Sequence, residues 1–239
     1  MIKRTPMLGP ALGRLRDYLL SLPQIQKLRF HSEDYWESRY ARGGTSGAGS
    51  YGPLAKFKAE TLNAFVQRHR VQSVVELGCG DGNQLSLLRC SKYTGLDVSA
   101  RAINICEARF RGDLTKTFVR YHPGTTDIDA VRSDVALSLD VIYHLIENRV
   151  FTRYMTDLFR AAARYVIIYS DNVDRPSEDL QVRHRKFSAW IDNNRTEWKL
   201  IEHIPNRYPY RPGTTEGEEG SWADFWIYEN TTQPSMGRK

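Results

Sequence analysis

The sequence predicts an α/β fold, a parallel sheet covered by helices on both faces. Three observations carry that expectation. Short apolar runs alternate with helix-period stretches from residue 54 to about 230, the pattern of strands buried on both faces between amphipathic helices. One of these runs, Val74-Val75-Glu76-Leu77, opens directly into the turn Gly78-Cys79-Gly80-Asp81-Gly82. The next run, Tyr93-Thr94-Gly95-Leu96, ends on Asp97, a carboxylate 21 positions after Glu76.

The elements follow in order. Leu12 to Leu22 reads as a helix stopped by Pro23, and packs on the domain or on a second subunit as a homodimer. Tyr35-Trp36-Glu37-Ser38-Arg39-Tyr40 comes next, then Gly43 to Gly52, too rich in glycine for a helix interior and expected to be a mobile lid. Leu54 to His69 carries apolar residues at 54, 57, 62, 65 and 66, a helical stripe. Strands are expected at Ser73–Leu77, Tyr93–Asp97, Phe118–Tyr121, Asp134–Leu139 and Tyr165–Tyr169. Helices are expected to begin at Asn83–Leu88, to span Ala100–Phe110 and Asn148–Ala162, and to include Phe187–Ile191, with a weak helical stretch after the third strand. Trp198–Ile204 and Ala223–Tyr228 add two late strands joined by a long connection rich in Pro, Gly and Glu. The organisation is thus an N-terminal helix and lid segment (1–53), a catalytic-type α/β domain (54–230) and a disordered tail (231–239).

Bulk composition narrows the classes. The 239 residues suffice for one α/β domain, and 41% hydrophobic with 26% charged residues describes a globule rather than a disordered chain. The net charge of +6 comes from scattered Lys and Arg, densest at Arg183-His184-Arg185-Lys186, with no RNA-binding motif beside it. Nucleic acid therefore ranks behind a small-molecule partner. Cys79, Cys90 and Cys106 have neither metal-ligand spacing nor a disulfide framework, which fits a reducing, cytoplasmic setting. The N-terminal apolar run is short and broken by Arg14, Arg16 and Asp17, so neither a signal peptide nor a membrane span is expected there.

A glycine turn after a buried strand, with an acid closing the next strand, is a nucleoside-binding unit. The glycines admit close backbone approach and the acid can hold ribose hydroxyls. The dinucleotide pattern G-x-G-x-x-G is not met, because Asn83 stands where its third glycine belongs. Glu76 would also repel a pyrophosphate, whereas a cationic, phosphate-free ligand would tolerate it. E-x-G-x-G followed by a strand ending in Asp resembles motifs I and II of class I S-adenosylmethionine (SAM)-dependent methyltransferases, with Glu76, Gly78, Cys79, Gly80 and Asp97 matching position by position. The resemblance covers roughly residues 54–230 and implies a Rossmann-like, seven-stranded sheet, SAM as cofactor, the glycine turn beside its amino-acid part and Asp97 on its ribose. Asn83 and Val98 flank these positions and join the expected cofactor set.

In open α/β sheets the ligand lies beyond the carboxyl ends of the strands, and further polar residues gather there. Asp140, Asp171 and Asn172 resemble the metal site of catechol-type O-methyltransferases, which would hold Mg²⁺ through oxygen ligands. The plain alternative is that Asp140 orients the cofactor or a loop while Asp171-Asn172 caps a turn. His144 follows Asp140 by four residues, so a helix starting there would put both on one face and offer a general base. His184 is the rival base. Trp36 and Tyr40 share a helix face, with Arg39 between them, and could cover the SAM sulfonium; a similar aromatic segment closes over SAM in thiopurine-type methyltransferases. The runs Y-W-x-x-R-Y, L-S-L-D-V-I-Y-H-L-I-E and V-R-H-R-K-F resemble methyltransferases of glycan-modifying clusters, nearest in type to those acting on mycobacterial methylmannose polysaccharide. That likeness implies a sugar or oligosaccharide hydroxyl as acceptor, in polysaccharide biosynthesis. Trp190, Tyr208, Tyr210, Trp222 and Trp226 could then stack on sugar faces or simply pack the core.

Overall fold

The computed structural model describes residues 30–211 and 220–232, together with Arg14 and Tyr18. Most of the expected helix at 12–22 and most of the expected tail lie outside the described residues. Seven strands form one sheet in the order β3-β2-β1-β4-β5-β7-β6. They are β1 (Ser73–Leu77), β2 (Lys92–Asp97), β3 (Lys116–Arg120), β4 (Ser133–Leu139), β5 (Ala162–Ser170), β6 (Trp198–Ile204) and β7 (Asp224–Asn230). The first five run parallel, while β7 is antiparallel to both β5 and β6. This is the Rossmann-like, seven-stranded sheet with helices that the sequence predicts.

Strand periodicity divides the core into two layers, because successive side chains point to opposite faces. Val75, Leu77, Ala136, Val166 and Ile168 lie in one layer with helix α4 (Asn148–Ala161) and helix α5 (Phe187–Asn194). Val74, Val135, Leu137, Ile167 and Phe225 lie in the other with helix α2 (Gly52–Arg68) and helix α3 (Ala100–Arg109). Helix α1 (Ser32–Ala41) lies N-terminal to both and contacts α3. The edge strand β6 interleaves half-exposed Leu200 and Ile201 with Lys199 and Glu202, charges that discourage edge pairing.

Some boundaries differ from expectation, each for a local reason. No helix starts at Asn83. Only Leu85–Leu87 forms a single 3-10 turn, because the stretch from Asn83 to Ser91 is too short for an ordinary helix and a return to the start of β2. The weak helical stretch after β3 is likewise one 3-10 turn, Asp129–Val131. Strand β3 begins two residues early at Lys116, whose register partner is Tyr93. Strand β5 starts at Ala162, immediately where α4 ends, because Ser133 already pairs with Ala162 across the sheet.

Candidate active site

Strand β1 lies between β2 and β4, so the chain reverses its direction of sheet growth there. The carboxyl ends at such a reversal leave a crevice, and a cavity of about 270 Å³ occupies it. Its walls include eight residues expected from the sequence to hold the cofactor: Trp36, Tyr40, Glu76, Gly78, Cys79, Gly80, Asp97 and Val98. Asp140 and His144 also line it. Arg39 and Asn83 do not. Arg39 donates from Nε to the Thr45 carbonyl at 2.7 Å and lies over the Trp36 ring. Asn83 donates from Nδ2 to the Ser50 carbonyl at 2.8 Å. Both therefore hold the segment that covers the cavity.

The glycine turn is anchored by Gly78 and Cys79 N–H groups, which both donate to the Leu96 carbonyl. Gly80 has φ +57°, and a Cβ there would stand 2.2 Å from Ser46 Oγ and 2.9 Å from the Tyr40 hydroxyl. Only glycine satisfies both the left-handed backbone and that close approach. The cover segment is thus packed directly on the turn. Asp81, to which the sequence pattern assigned no task, fastens it. Its Oδ2 accepts from the Tyr51 hydroxyl at 2.7 Å and from Ser46 N–H at 3.0 Å, and its own N–H donates to Ser46 Oγ at 2.8 Å. Burial raises the Asp81 pKa, but the donors Tyr51, Ser46 and Asn83 outweigh it and hold the carboxyl below its usual value.

The electrostatics are one-sided. Six carboxylates line the cavity (Glu33, Asp34, Glu76, Asp97, Asp140 and Glu147) against one lysine, Lys58. Burial lifts Glu76 to about 7, opposed by the Tyr93 hydroxyl that donates to it at 2.6 Å and by the Lys58 charge. Burial also lifts Asp97 to about 6, opposed by the Ser99 and Gly80 N–H groups, each 2.9 Å from one of its oxygens. Lys58 was not foreseen as a site residue. It sits on α2 between Leu54 and Leu62, on the buried stripe, and is fully enclosed. Its ammonium donates to Asp140 Oδ2 at 2.5 Å and lies 5.2 Å from the Tyr169 ring centroid. A lysine at an apolar stripe position was the available signal, since a buried lysine is almost always paired. Gln84 also faces the cavity, with Oε1 buried and unpartnered while its Nε2 donates to the Ala55 carbonyl.

The Asp140–His144 segment is not a helix placing both residues on one face. Asp140 adopts φ +59°, and only Ile142–His144 forms a 3-10 turn. Asp140 Oδ1 accepts from the Tyr143 hydroxyl at 2.8 Å. His144 Nδ1 lies 2.8 Å from the Gln181 carbonyl, and the ring meets the edge of Trp36 at 4.9 Å. A carbonyl only accepts, so Nδ1 carries the proton and the neutral ring keeps its Nε2 lone pair. Burial lowers the His144 pKa, partly offset by the Gln181 carbonyl and the Asp140 charge, which keeps the ring neutral near pH 7.

The expected metal set does not fit. Asp140 is already neutralised by Lys58, and Asp171 and Asn172 do not line the cavity. Asp171 Oδ2 instead receives His184 Nδ1 with Arg175 at 3.9 Å, and Asn172 Oδ1 accepts from Ser188 N–H at the start of α5. Among the described residues no group of three or more His, Cys, Asp and Glu side chains is placed to hold a metal ion. His184 is buried against Asp171 and Trp222, away from the cavity lining. Its neighbours Arg183 and Arg185 donate to the Leu145 and Ile146 carbonyls, so the basic run braces the His144 loop rather than facing an anion. None of the late aromatics lines the cavity either. Trp190 packs on Phe151 and Phe159, Tyr208 on Phe57, Tyr210 on Trp222, and Trp226 on His203 and Phe187.

Comparison with known proteins agrees with this geometry. Residues 75–166 match the model of a methyltransferase-domain family (Methyltransf_12), a span running from β1 into β5. A curated mouse (Mus musculus) protein named Small RNA 2'-O-methyltransferase is 26% identical over 179 residues, covering 66% of this chain. This chain spans 44% of that protein's length. Among solved structures, the N-methyltransferase NodS from Bradyrhizobium japonicum WM9, in complex with S-adenosyl-L-homocysteine (SAH), aligns with a TM-score of 0.61 at 15% identity, over 84% of this chain and 99% of that one. The methyltransferase domain of bacterial CtHen1 aligns with a TM-score of 0.56 at 20% identity, over 73% and 97%. At such identities the structural likeness speaks for the fold. The family match covers the strands and connections from β1 into β5, which carry the glycine turn and Asp97.

Proposed function

We propose that the chain transfers the methyl group of SAM to a hydroxyl of a sugar or oligosaccharide, with His144 as general base and without a metal. The observation that carries the reading is the acid-lined cavity over the glycine turn with a neutral histidine in its wall. A sulfonium is a cation, and carboxylates with the Trp36 and Tyr40 rings suit it. The amino-acid end of SAM is a zwitterion. Lys58 matches its carboxylate, while Asp140 and the free Gln84 Oε1 match its ammonium. Asp97 retains acceptor capacity for ribose hydroxyls.

Methyl transfer is an in-line displacement. The acceptor oxygen forms a bond to the methyl carbon as the carbon–sulfur bond breaks, the electron pair stays on sulfur, and the hydroxyl proton passes to His144 Nε2. Holding the oxygen in line supplies most of the acceleration. The base contributes about 10²–10⁴-fold. His144→Ala should therefore lower kcat by roughly that factor with SAM affinity nearly unchanged, and EDTA should have no effect. A mass-spectrometric screen of methyl transfer to mono- and oligosaccharides, with and without EDTA, tests the reading. Full activity of His144→Ala, or loss of activity in EDTA, would sink it.

A second reading has one observation behind it: the similarity to a small RNA 2'-O-methyltransferase, whose acceptor by name is also a sugar hydroxyl. Transfer to short RNA but to no free oligosaccharide would favour it. We also propose a cytoplasmic setting, in keeping with three free cysteines of which Cys79 and Cys106 are buried. Among the described residues no helix is long and apolar enough to cross a membrane.

A further inference from the structure

Helix α1 has two working faces. Ser32, Trp36 and Tyr40 recur every four residues and line the cofactor cavity. On the other side, Tyr35, Ser38, Arg39 and Arg42 line an open groove of about 710 Å³. The helix therefore separates the cavity from the groove. The two spaces meet at its N-terminal end, where His31 and Asp34 line both. That end is also where His144 lies, since Ser32 Oγ is 2.9 Å from the His144 carbonyl and Trp36 touches the His144 ring. The groove thus opens beside the end of the cavity that holds the proposed base.

Its lining changes character along its length. Near the cavity it offers Asp34 and the paired rings of Phe30 and Tyr35, 5.4 Å apart. At the far end it offers two guanidinium groups. Arg39 is held rigid by the Thr45 carbonyl and the Tyr35 hydroxyl. Arg42 is exposed, and its side chain enters no hydrogen bond or ion pair among the described residues. At 1.5 Å per helical residue, Asp34 and Arg42 stand about 12 Å apart, a span that a single sugar ring does not cover.

Building on the sugar-hydroxyl reading above, we propose that this groove is the acceptor's binding track, and that the acceptor is an oligosaccharide carrying an anionic group, phosphate or carboxylate, remote from the hydroxyl that is methylated. The methylated ring enters at His31 beside His144. A further ring stacks on Tyr35 and Phe30. The anionic group meets Arg39 and Arg42, whose planar forks suit a carboxylate or a phosphate. The six carboxylates of the cavity keep that anion out of the cofactor end and so fix the direction in which the acceptor lies.

The test uses the full chain loaded with SAH and four probes in calorimetry. They are maltotetraose, tetragalacturonate, a mannose tetrasaccharide bearing one terminal phosphate, and a single-stranded RNA 10-mer. SAH binding is measured first, and its absence would count against the methyltransferase reading rather than against the groove. With SAH bound, at least one acidic tetrasaccharide should bind at least tenfold tighter than maltotetraose, and the tighter acid identifies the anion. Arg42→Glu should weaken that acid fivefold or more while leaving both SAH and maltotetraose affinity unchanged. Equal affinity for neutral and acidic sugars overturns the proposal, as does an Arg42→Glu variant that binds the acid like the parent. Binding of none of the sugars overturns it too. Tightest binding of the RNA, with steep salt dependence, would assign the groove to nucleic acid instead.

Discussion

At the scale of single residues, Lys58 and Asp140 are the pair on which most depends. Both lie at or near full burial and each neutralises the other. Removing one partner leaves an uncompensated buried charge, which costs about 3–5 kcal/mol. Lys58→Met should therefore lower Tm by roughly 10 °C, at 2–4 °C per kcal/mol for a chain of this size. The double variant Lys58→Met with Asp140→Asn should recover most of that loss, yet still bind SAM weakly because the zwitterion has lost both partners. A double variant that regains SAM affinity would show the pair to be structural only. Calorimetry and thermal denaturation on the same samples separate the two. Glu76 and Asp97 make a second prediction. Their folded pKa values of about 7 and about 6 lie above ordinary carboxylate values. The folded state therefore holds protons that the unfolded state has released. Their contribution is fully present below about pH 4, falls as pH rises, and is lost through pH 6–7. Stability of the free protein should decline across pH 5–7. Affinity for the cationic cofactor should rise over the same window, since ionised carboxylates are what it meets. A SAM affinity that stays flat from pH 5.5 to 7.5 would contradict this.

At the scale of elements, the cover formed by α1 and residues 42–51 is fastened by acids at both ends, besides the Asn83–Ser50 contact. Glu147 accepts from Ser32 N–H at 3.1 Å and from Ser32 Oγ at 2.6 Å, and Asp81 holds Ser46 and Tyr51. Asp81→Ala removes three hydrogen bonds to a charged acceptor, each worth about 1.5–3 kcal/mol where buried and less where the pair is partly wet. The segment 42–51 should then open more often. Limited proteolysis should cut there faster, and bound SAH should leave faster, with strands and core undisturbed. Unchanged cleavage and unchanged SAH release would show that the cover does not gate the cavity. The same segment shows how far the sequence could be read. Its glycines announced an irregular cover, and the aromatic spacing of α1 announced one face. The strands, the parallel sheet implied by βα alternation, Asp97 and the glycine turn were legible because each rests on local periodicity or local backbone need. Lys58–Asp140, Ser32–Glu147 and Asp171–His184 were not, because each joins side chains from different elements that only the tertiary fold brings together. The metal reading met the same limit: three oxygen-bearing residues at strand ends were visible, but the lysine and histidine that pair with two of them were not.

At the scale of the whole molecule, charge is distributed against expectation, and this decides what the cavity admits. The chain is basic, with a net charge of +6, yet its central cavity gathers six carboxylates around one lysine. Low-dielectric walls focus such a field, so the surface attracts anions while the cavity rejects them. A dinucleotide or a nucleoside triphosphate brings at least two negative phosphates to the glycine turn. There it would meet Glu76 and Asp97 and displace the Ser46–Asp81 contacts that cover the turn. SAM brings an adenosine, a sulfonium and a zwitterion, with no phosphate. SAM and SAH at a hundred times their Kd should each stabilise the protein by about 2.7 kcal/mol, which at 2–4 °C per kcal/mol is roughly 5–11 °C in Tm. NAD and ATP at the same concentration should shift Tm by less than about 1 °C. The two sulfur states separate the charge effect further. SAM carries the sulfonium and SAH does not, so raising pH from 6 to 7.5, which ionises Glu76 and Asp97, should enlarge the SAM shift more than the SAH shift. High salt should narrow that difference only slightly, because the charges are buried and poorly screened. An NAD shift as large as that of SAM, or equal pH responses of SAM and SAH, would mean that the acid lining serves the fold and not the choice of cofactor.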